Sequence, residues 1–392
     1  IMLAFLIMGF GDVSGPMVSL AKDSFEISNF MAQLLPLCGF IMFGVLSIPM
    51  GIFQDRKGKK RTLGLGLIFA FLGLMLPVIG GMVGIMVDLQ PWMFYLLLAS
   101  VLLLGVGATI LQVAGNPIMR EVSAEGNFSS NLSLAQTVKA IGSSLCFLLP
   151  TLLNIWLQSE NKTAWTFLFP IYGAFVLITF VLISRIDIKE KTTTDKPASL
   201  KSCFNLLGNS YVLAMVLGIF VYVGAEVSMS SQVSVLMKDG FGFSFKNMLW
   251  ISWLLFFLPI LIGRFMGGII LRSVKAKTFL IITTFLSISG IIFMLFGNMY
   301  LAFAGIVAVG LGFANIFPLI FSITIEKMPE RANELSGLMV TAIVGGAFIP
   351  PITGLVADIS HSVLLSFVVP LICLIYIIII SLFAGKKKTV TA

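Results

Sequence analysis

The stretch LQVAGNPIMREVSAEGNFSSNLSLAQTVKAIG, Leu111 to Gly142, joins parts of two apolar helices through a short polar loop. Its polar residues are the wrong kind for lipid. Gln112 and Asn116 are four apart and share one helical face, with Pro117 directly after; Gln136 and Lys139 are three apart and share a face on the next helix. A lysine at the centre of a membrane helix costs roughly 3 kcal/mol or more if it meets hydrocarbon, so Lys139 should face a protein or water-filled interior. The remaining chain reads as the structure around that interior.

Of the 392 residues, 58% are hydrophobic and 11% charged, and mean hydropathy is +1.06. Apolar runs of about 20 residues, enough to cross a bilayer core, recur along the whole chain. Twelve are expected, near 1–21, 30–53, 63–87, 91–117, 129–155, 163–185, 209–235, 246–271, 278–296, 299–325, 334–357 and 363–384. The alternating ten-residue segments of a transmembrane barrel are missing. The fold class is therefore an all-α integral membrane protein of twelve transmembrane helices. The first run is too long for a cleaved signal peptide and has no small-residue cleavage site.

A net charge of +8 could suggest nucleic acid, but the charges are placed otherwise. Nineteen of the 25 Lys and Arg residues fall in alternate loops and the tail, while Lys22, Lys162, Lys238 and Lys246 fall in the other set. This is the positive-inside pattern, placing both termini in the cytoplasm of a cell whose inner membrane the chain spans many times. No nucleic-acid partner follows; lipid surrounds the bundle, and a monomer is expected. The four cysteines are single and scattered, as for apolar packing residues. His361, the one histidine, reads as a surface residue. No HExxH, no G-x-S-x-G and no metal cluster is present, so the chain does not read as an enzyme.

The least hydrophobic internal segment, 186–208, divides the chain into an N-terminal six-helix bundle at 1–185 and a C-terminal bundle with a short tail at 209–392. The halves resemble each other. Leu20-Ala21-Lys22-Asp23-Ser24-Phe25 corresponds to Leu236-Met237-Lys238-Asp239-Gly240-Phe241, and Asn116-Pro117 to Asn315…Pro318; Pro150 and Pro351 each follow their partner proline by thirty-three residues. Two six-helix repeats, pseudo-symmetric about an axis along the membrane normal, are an architecture of secondary transporters that bind substrate near mid-membrane. Gly105, Gly107, Gly142, Gly310, Gly312, Gly345 and Gly346 permit close helix contact, and Pro117, Pro318, Pro350 and Pro351 break or kink their spans.

Between spans two and three stands Gly51-Ile-Phe-Gln-Asp55-Arg56-Lys57-Gly58-Lys59-Lys60-Arg61, which resembles the G-x-x-x-D-R-x-G-[RK]-[RK] signature of the major facilitator superfamily. There the loop latches one state of the carrier. The resemblance makes Gly51, Asp55, Arg56, Gly58 and Lys59 gating residues, with Gly51 for close helix approach and Gly58 for the turn. The matching loop of the second half keeps Gly263-Arg264-Phe265 but lacks the acid. Six further blocks resemble the fucose:proton symporter family, which includes glucose/galactose transporters: Gln112 to Pro117, Asn131 to Gln136, Tyr222 to Val227, Gly263 to Phe265, Phe317 to Ser322 and Ala342 to Gly346. This implies ion-coupled import of a sugar or sugar derivative by alternating access, with no cofactor beyond a coupled proton or sodium ion.

Asp12, Lys139, Glu226 and Arg264 are the charges expected inside the membrane. A buried carboxylate that trades a proton for a cationic partner can couple transport to proton flow, which nominates Asp12 for ion coupling or substrate contact. The alternative for Asp12 is a structural pair with Lys139. The family's coupling acid lies one turn later, at Gly15 here, and Gln112 replaces a second acid. Lys139 stands where a neutral amide is usual. It could pair with Asp12, bind an anionic sugar acid, or snorkel. Glu226 shares a face with Tyr222 and Ser230, suited either to coupling and hydroxylated ligands or to a packing hydrogen bond. Gln112, Asn116, Gln136, Lys139, Tyr222, Glu226 and Asn315 form the expected substrate site, and Arg264 a snorkelling or gate cation. Phe10, Phe313 and Phe317 are aromatic candidates for stacking on a sugar, although packing explains most of the 35 phenylalanines. An efflux carrier for amphipathic compounds on the same fold is the nearest rival.

Overall fold

A computed structural model describes residues 1–27, 29–32, 34–84, 87–156, 163–185, 200–243, 245–296 and 298–383. Residues 186–199 of the expected linker 186–208 and the basic tail Lys386 to Lys388 lie outside the described residues, as does Lys162. Within the remaining part of the expected linker, Leu200–Leu206 forms a short helix.

Twelve helical spans occur among the described residues, and no strand. They are α1 (Met2–Val13, continued by Ser14–Phe25), α2 (Leu34–Lys57), α3 (Lys59–Ile79), α4 (Pro91–Val122), α5 (Phe128–Trp156) and α6 (Ala164–Arg185) in the first half. The second half holds α7 (Ser210–Gly240), α8 (Trp250–Ile270), α9 (Ala276–Leu295), α10 (Met299–Lys327), α11 (Glu334–Ser360) and α12 (Val363–Leu382). Large apolar side chains such as Ile79, Phe285 and Ile359 are exposed on the outside of the bundle, as lipid contact requires.

Two faces join the halves, α2 against α11 and α5 against α8. The loop between α2 and α3 marks one end of the bundle, called here the basic end. Gly58 has φ 89°, a conformation that favours glycine, and Thr62 Oγ1 donates to its carbonyl at 2.9 Å. Lys59 pairs with Glu121 at the end of α4. Gly51 departs from expectation: a Cβ there would meet nothing within 4 Å, so no helix packs closely on it in this conformation.

Several spans are irregular, and the irregularities lie where the halves face each other. In α1 a 3₁₀ turn, Gly11–Val13, carries Asp12. A wide π turn, Trp253–Phe257, interrupts α8, and a 3₁₀ turn, Ala342–Val344, interrupts α11. The break in α10 comes after Phe313, with Asn315 as the residue before the segment Ile316–Lys327. Its cause is local. Pro318 has no N–H for the carbonyl of Ala314 and its ring crowds that oxygen. Inside a membrane a freed carbonyl must find another donor. Arg264 Nε supplies one to Ala314 O at 3.1 Å, and the Tyr222 hydroxyl donates to Phe313 O at 2.8 Å. In contrast, α4 passes through Pro117 as a single helix.

Candidate functional site

A cavity lies between the halves at these irregular turns, enclosing about 860 Å³ with its mouth included. The first half lines it with Asp12, Gly15, Phe40, Gln112, Gln136, Lys139, Ala140 and Ser143. The second contributes Val223, Glu226, Val227, Ser230, Phe257, Ile260, Arg264, Phe317 and Ile343. Neither half forms the site alone.

Two acid–base pairs face this cavity, one from each half. Lys139 Nζ lies 3.4 Å from Asp12 Oδ1, and Ser143 Oγ donates to Asp12 Oδ2 at 2.6 Å. These three side chains are held by α1 and α5, which meet backbone to backbone: a Cβ at Gly9 would collide with Lys139 O, and one at Gly142 with Leu6 O. In the other half Arg264 Nη2 lies 2.9 Å from Glu226 Oε1. The side chain of Arg264 is 8% exposed and that of Glu226 is 23% exposed. With two carboxylates and two cations, the cavity lining sums to zero formal charge.

The floor closes toward the basic end through a ladder on one side of α5. Ser129 Oγ donates to Ser322 Oγ at 2.7 Å, Ser130 Oγ to Gly268 O at 2.5 Å, and Ser133 Oγ to Asn315 Oδ1 at 2.7 Å. At the top of the ladder Arg264 Nη1 donates to Gln136 O at 3.3 Å. All four bonds cross from one half to the other.

The expected site residues divide into two groups. Asp12, Gln112, Gln136, Lys139 and Glu226 come together in the cavity. Gln136 Nε2 is buried there without a hydrogen-bond partner, donor capacity a ligand could use. Three others lie outside the lining. Tyr222, fully buried, is committed to Phe313 O; Asn315 is committed to Ser133 and, through Nδ2, to Gly263 O at 2.7 Å. Asn116 is fully buried one turn beyond Gln112, with both amide atoms unpartnered. Of the stacking candidates, Phe317 lines the cavity, whereas Phe10 stacks on Tyr172 and Phe313 packs edge-on against Tyr222. Arg264 neither snorkels nor stays among the loop cations; it reaches into the cavity floor.

Phe40, Phe257, Ser143 and Ile343 were not singled out by the sequence. Ser143 stands one turn beyond Lys139, a spacing that could have found it. Phe257 is delivered by the π turn, which has no signature in the residues.

At the basic end Asp55, Cys203, Arg331 and Glu334 gather beneath the α2–α11 seam. Arg331 pairs with Glu334, and its Nη2 donates to Ser202 O in the short helix at 3.4 Å. Burial, reinforced by the negative charge of Glu334, pushes the Cys203 thiol up to about 11.

A bundle of twelve apolar helices around a shared cavity, with a basic D-R-x-G turn between its second and third helices, defines a membrane carrier. The chain belongs to the Major Facilitator Superfamily, whose profile matches residues 1–351, and so to a family of transporters and not of enzymes. Among its relatives is the glucose/galactose transporter of Brucella abortus, 28% identical over 378 residues, covering 93% of this chain and 88% of the relative. The L-fucose-proton symporter of Haemophilus influenzae is 24% identical, with 97% and 95% covered. The crystal structure of the transporter FucP in the outward conformation superposes with a TM-score of 0.78 at 19% identity, covering 98% of both chains. The proton:xylose symporter XylE superposes with a TM-score of 0.75 at 14% identity, over 97% of this chain and 93% of the other.

Proposed function

We propose that this protein imports a neutral monosaccharide together with a proton, the two halves rocking about the central cavity. One observation carries the reading: a shared cavity with an acid–base pair from each half and no net charge. Amides and hydroxyls of Gln112, Gln136, Ser143 and Ser230 both donate and accept, as sugar hydroxyls require, and Phe40, Phe257 and Phe317 offer apolar faces to a ring. A sugar acid is disfavoured because Lys139 and Arg264 each already hold a carboxylate. Relatives described as proton symporters favour the proton over sodium.

The halves are 1–185 and 209–392, joined by 186–208, in a monomer. The basic end and both termini are cytoplasmic in the cell inner membrane. The conformation with its floor closed is then the one that does not release sugar inward. Asp12 and Glu226 are the carboxylates available to couple the ion. Sugar and proton shift the rocking equilibrium only through different affinities for its two states.

Counterflow in proteoliposomes tests this. Labelled glucose, galactose or fucose exchanges, and an acid-outside gradient drives accumulation that a sodium gradient does not. Exchange of sugar acids alone, or of lipophilic cations alone, overturns the reading in favour of an anion carrier or an efflux carrier.

A further inference from the structure

We propose that Glu226 is the proton-carrying residue, acting through Arg264 on the floor of the cavity, whereas Asp12 and Lys139 form a fixed pair that holds the sugar. This assignment rests on the sugar–proton symport reading above.

The two pairs differ in what their charges touch. Asp12 is bonded to Lys139 and Ser143, and all three belong to one half. Close backbone packing of α1 on α5 at Gly9 and Gly142 keeps that geometry while the halves move as bodies. Protonating Asp12 therefore changes the sugar site and breaks no hydrogen bond across the seam between the halves. Arg264 is placed otherwise. Its Nη2 holds Glu226, its Nε holds Ala314 O in the same half, and its Nη1 reaches Gln136 O in the other half. Of the four bonds across the floor, this one alone comes from a charged group; the serine bonds do not titrate.

Glu226 is also reachable. Its side chain is 23% exposed and lines the cavity, so water can deliver a proton to it. The charged and titratable groups around it are Arg264 from α8, Lys139 from α5, Asp12 from α1 and Tyr222 on its own helix. Lys139 is engaged by Asp12, and the Tyr222 hydroxyl, which donates to Phe313 O and also lies close to Glu226, carries no charge, so Arg264 is the cation whose state follows that of Glu226.

A proton arriving from cavity water bonds to a carboxylate oxygen of Glu226 and neutralises it. Arg264 stays charged, because a guanidinium does not give up its proton in a protein. An unpaired buried cation is costly, so it draws water to the floor, and the Nη1 bond to Gln136 O loosens. The floor can then part. When the cavity opens at the basic end, Arg264 recovers the carboxylate as the proton leaves to water. Charge and proton balance over the cycle.

The test uses the full chain in proteoliposomes. Glu226→Gln mimics the protonated acid; at hexose concentrations that saturate its remaining counterflow, an acid-outside gradient is expected no longer to raise internal sugar above external. Asp12→Asn is expected to weaken hexose binding about tenfold and still to accumulate sugar at saturating concentration. Accumulation by Glu226→Gln, or counterflow without accumulation in Asp12→Asn, overturns the assignment. If Glu226→Gln does not fold, the sugar-induced infrared difference spectrum of Asp12→Asn decides. Persistence of the protonated-carboxyl band supports Glu226, and its disappearance overturns the proposal. Absence of hexose counterflow in the unaltered protein overturns the symport reading itself.

Discussion

The two halves carry the same cue, an asparagine shortly before a proline, and give it opposite outcomes. In the first half α4 runs through Asn116-Pro117 as one helix, and the asparagine amide is buried without a partner. In the second half α10 breaks at Asn315, and its amide ties Ser133 of the other half to Gly263. A proline frees a carbonyl in either case; the helix opens where donors wait to receive the freed oxygens. Tyr222 and Arg264 are those donors, and they have no counterparts described beside α4. The same division extends to the ion pairs. One is clamped within a half, and the other also reaches across the floor.

Removing the cations should separate the halves most widely. Arg264→Ala strands a carboxylate only 23% exposed, uncaps Ala314 O and cuts the floor, an expected loss of ~3 kcal/mol. Lys139→Ala leaves Asp12 with Ser143 and a side chain 31% exposed, an expected loss of ~1 kcal/mol or less. Thermal unfolding in detergent measures both, and an equal or reversed ranking would remove the contrast between a clamped and a bridging pair. Next in size are the asparagines. Asn315→Ala deletes two buried hydrogen bonds and should cost ~1–3 kcal/mol, whereas Asn116→Val removes an unpartnered amide and should be neutral or stabilising without sugar. A matching loss at Asn116 would break the comparison of α4 with α10.

The smallest effect sharpens the comparison from the basic end. With its pKa near 11, Cys203 is a thiolate in roughly one molecule per thousand at pH 8, so maleimide labelling is slow. Opening the α2–α11 seam brings the thiol back toward its ordinary value near 8.5 and speeds labelling. Glu226→Gln is therefore expected to label faster at Cys203 than the parent protein by peptide-resolved mass spectrometry, and Asp12→Asn is not.

Local chemistry carried the sequence reading far. Apolar runs of bilayer length located the spans, and lone charges within them marked the cavity, because the membrane core tolerates few of either sign. The alternative in which Asp12 pairs with Lys139 matches the ion pair found. What stayed hidden depends on contacts between distant segments. Tyr222 and Asn315 look like ligand groups until the break in α10 supplies their partners. Phe257 enters the cavity through a π turn that nothing in Trp253 to Phe257 announces. Arg264 sits near loop cations in sequence, and only the packing of α8 on α5 turns it toward Gln136. Gly51 matches a signature whose close contact is not made in this conformation.

The charge balance of the cavity has an electrical consequence. If the cargo is one proton and a neutral sugar, as proposed, a lining of two acids and two bases returns empty without moving charge and crosses loaded as a monovalent cation. Membrane voltage then acts on the loaded stroke alone, contributing about 2.3 kcal/mol per 100 mV when the interior is negative. A cell at neutral external pH could thus still concentrate sugar on its electrical potential.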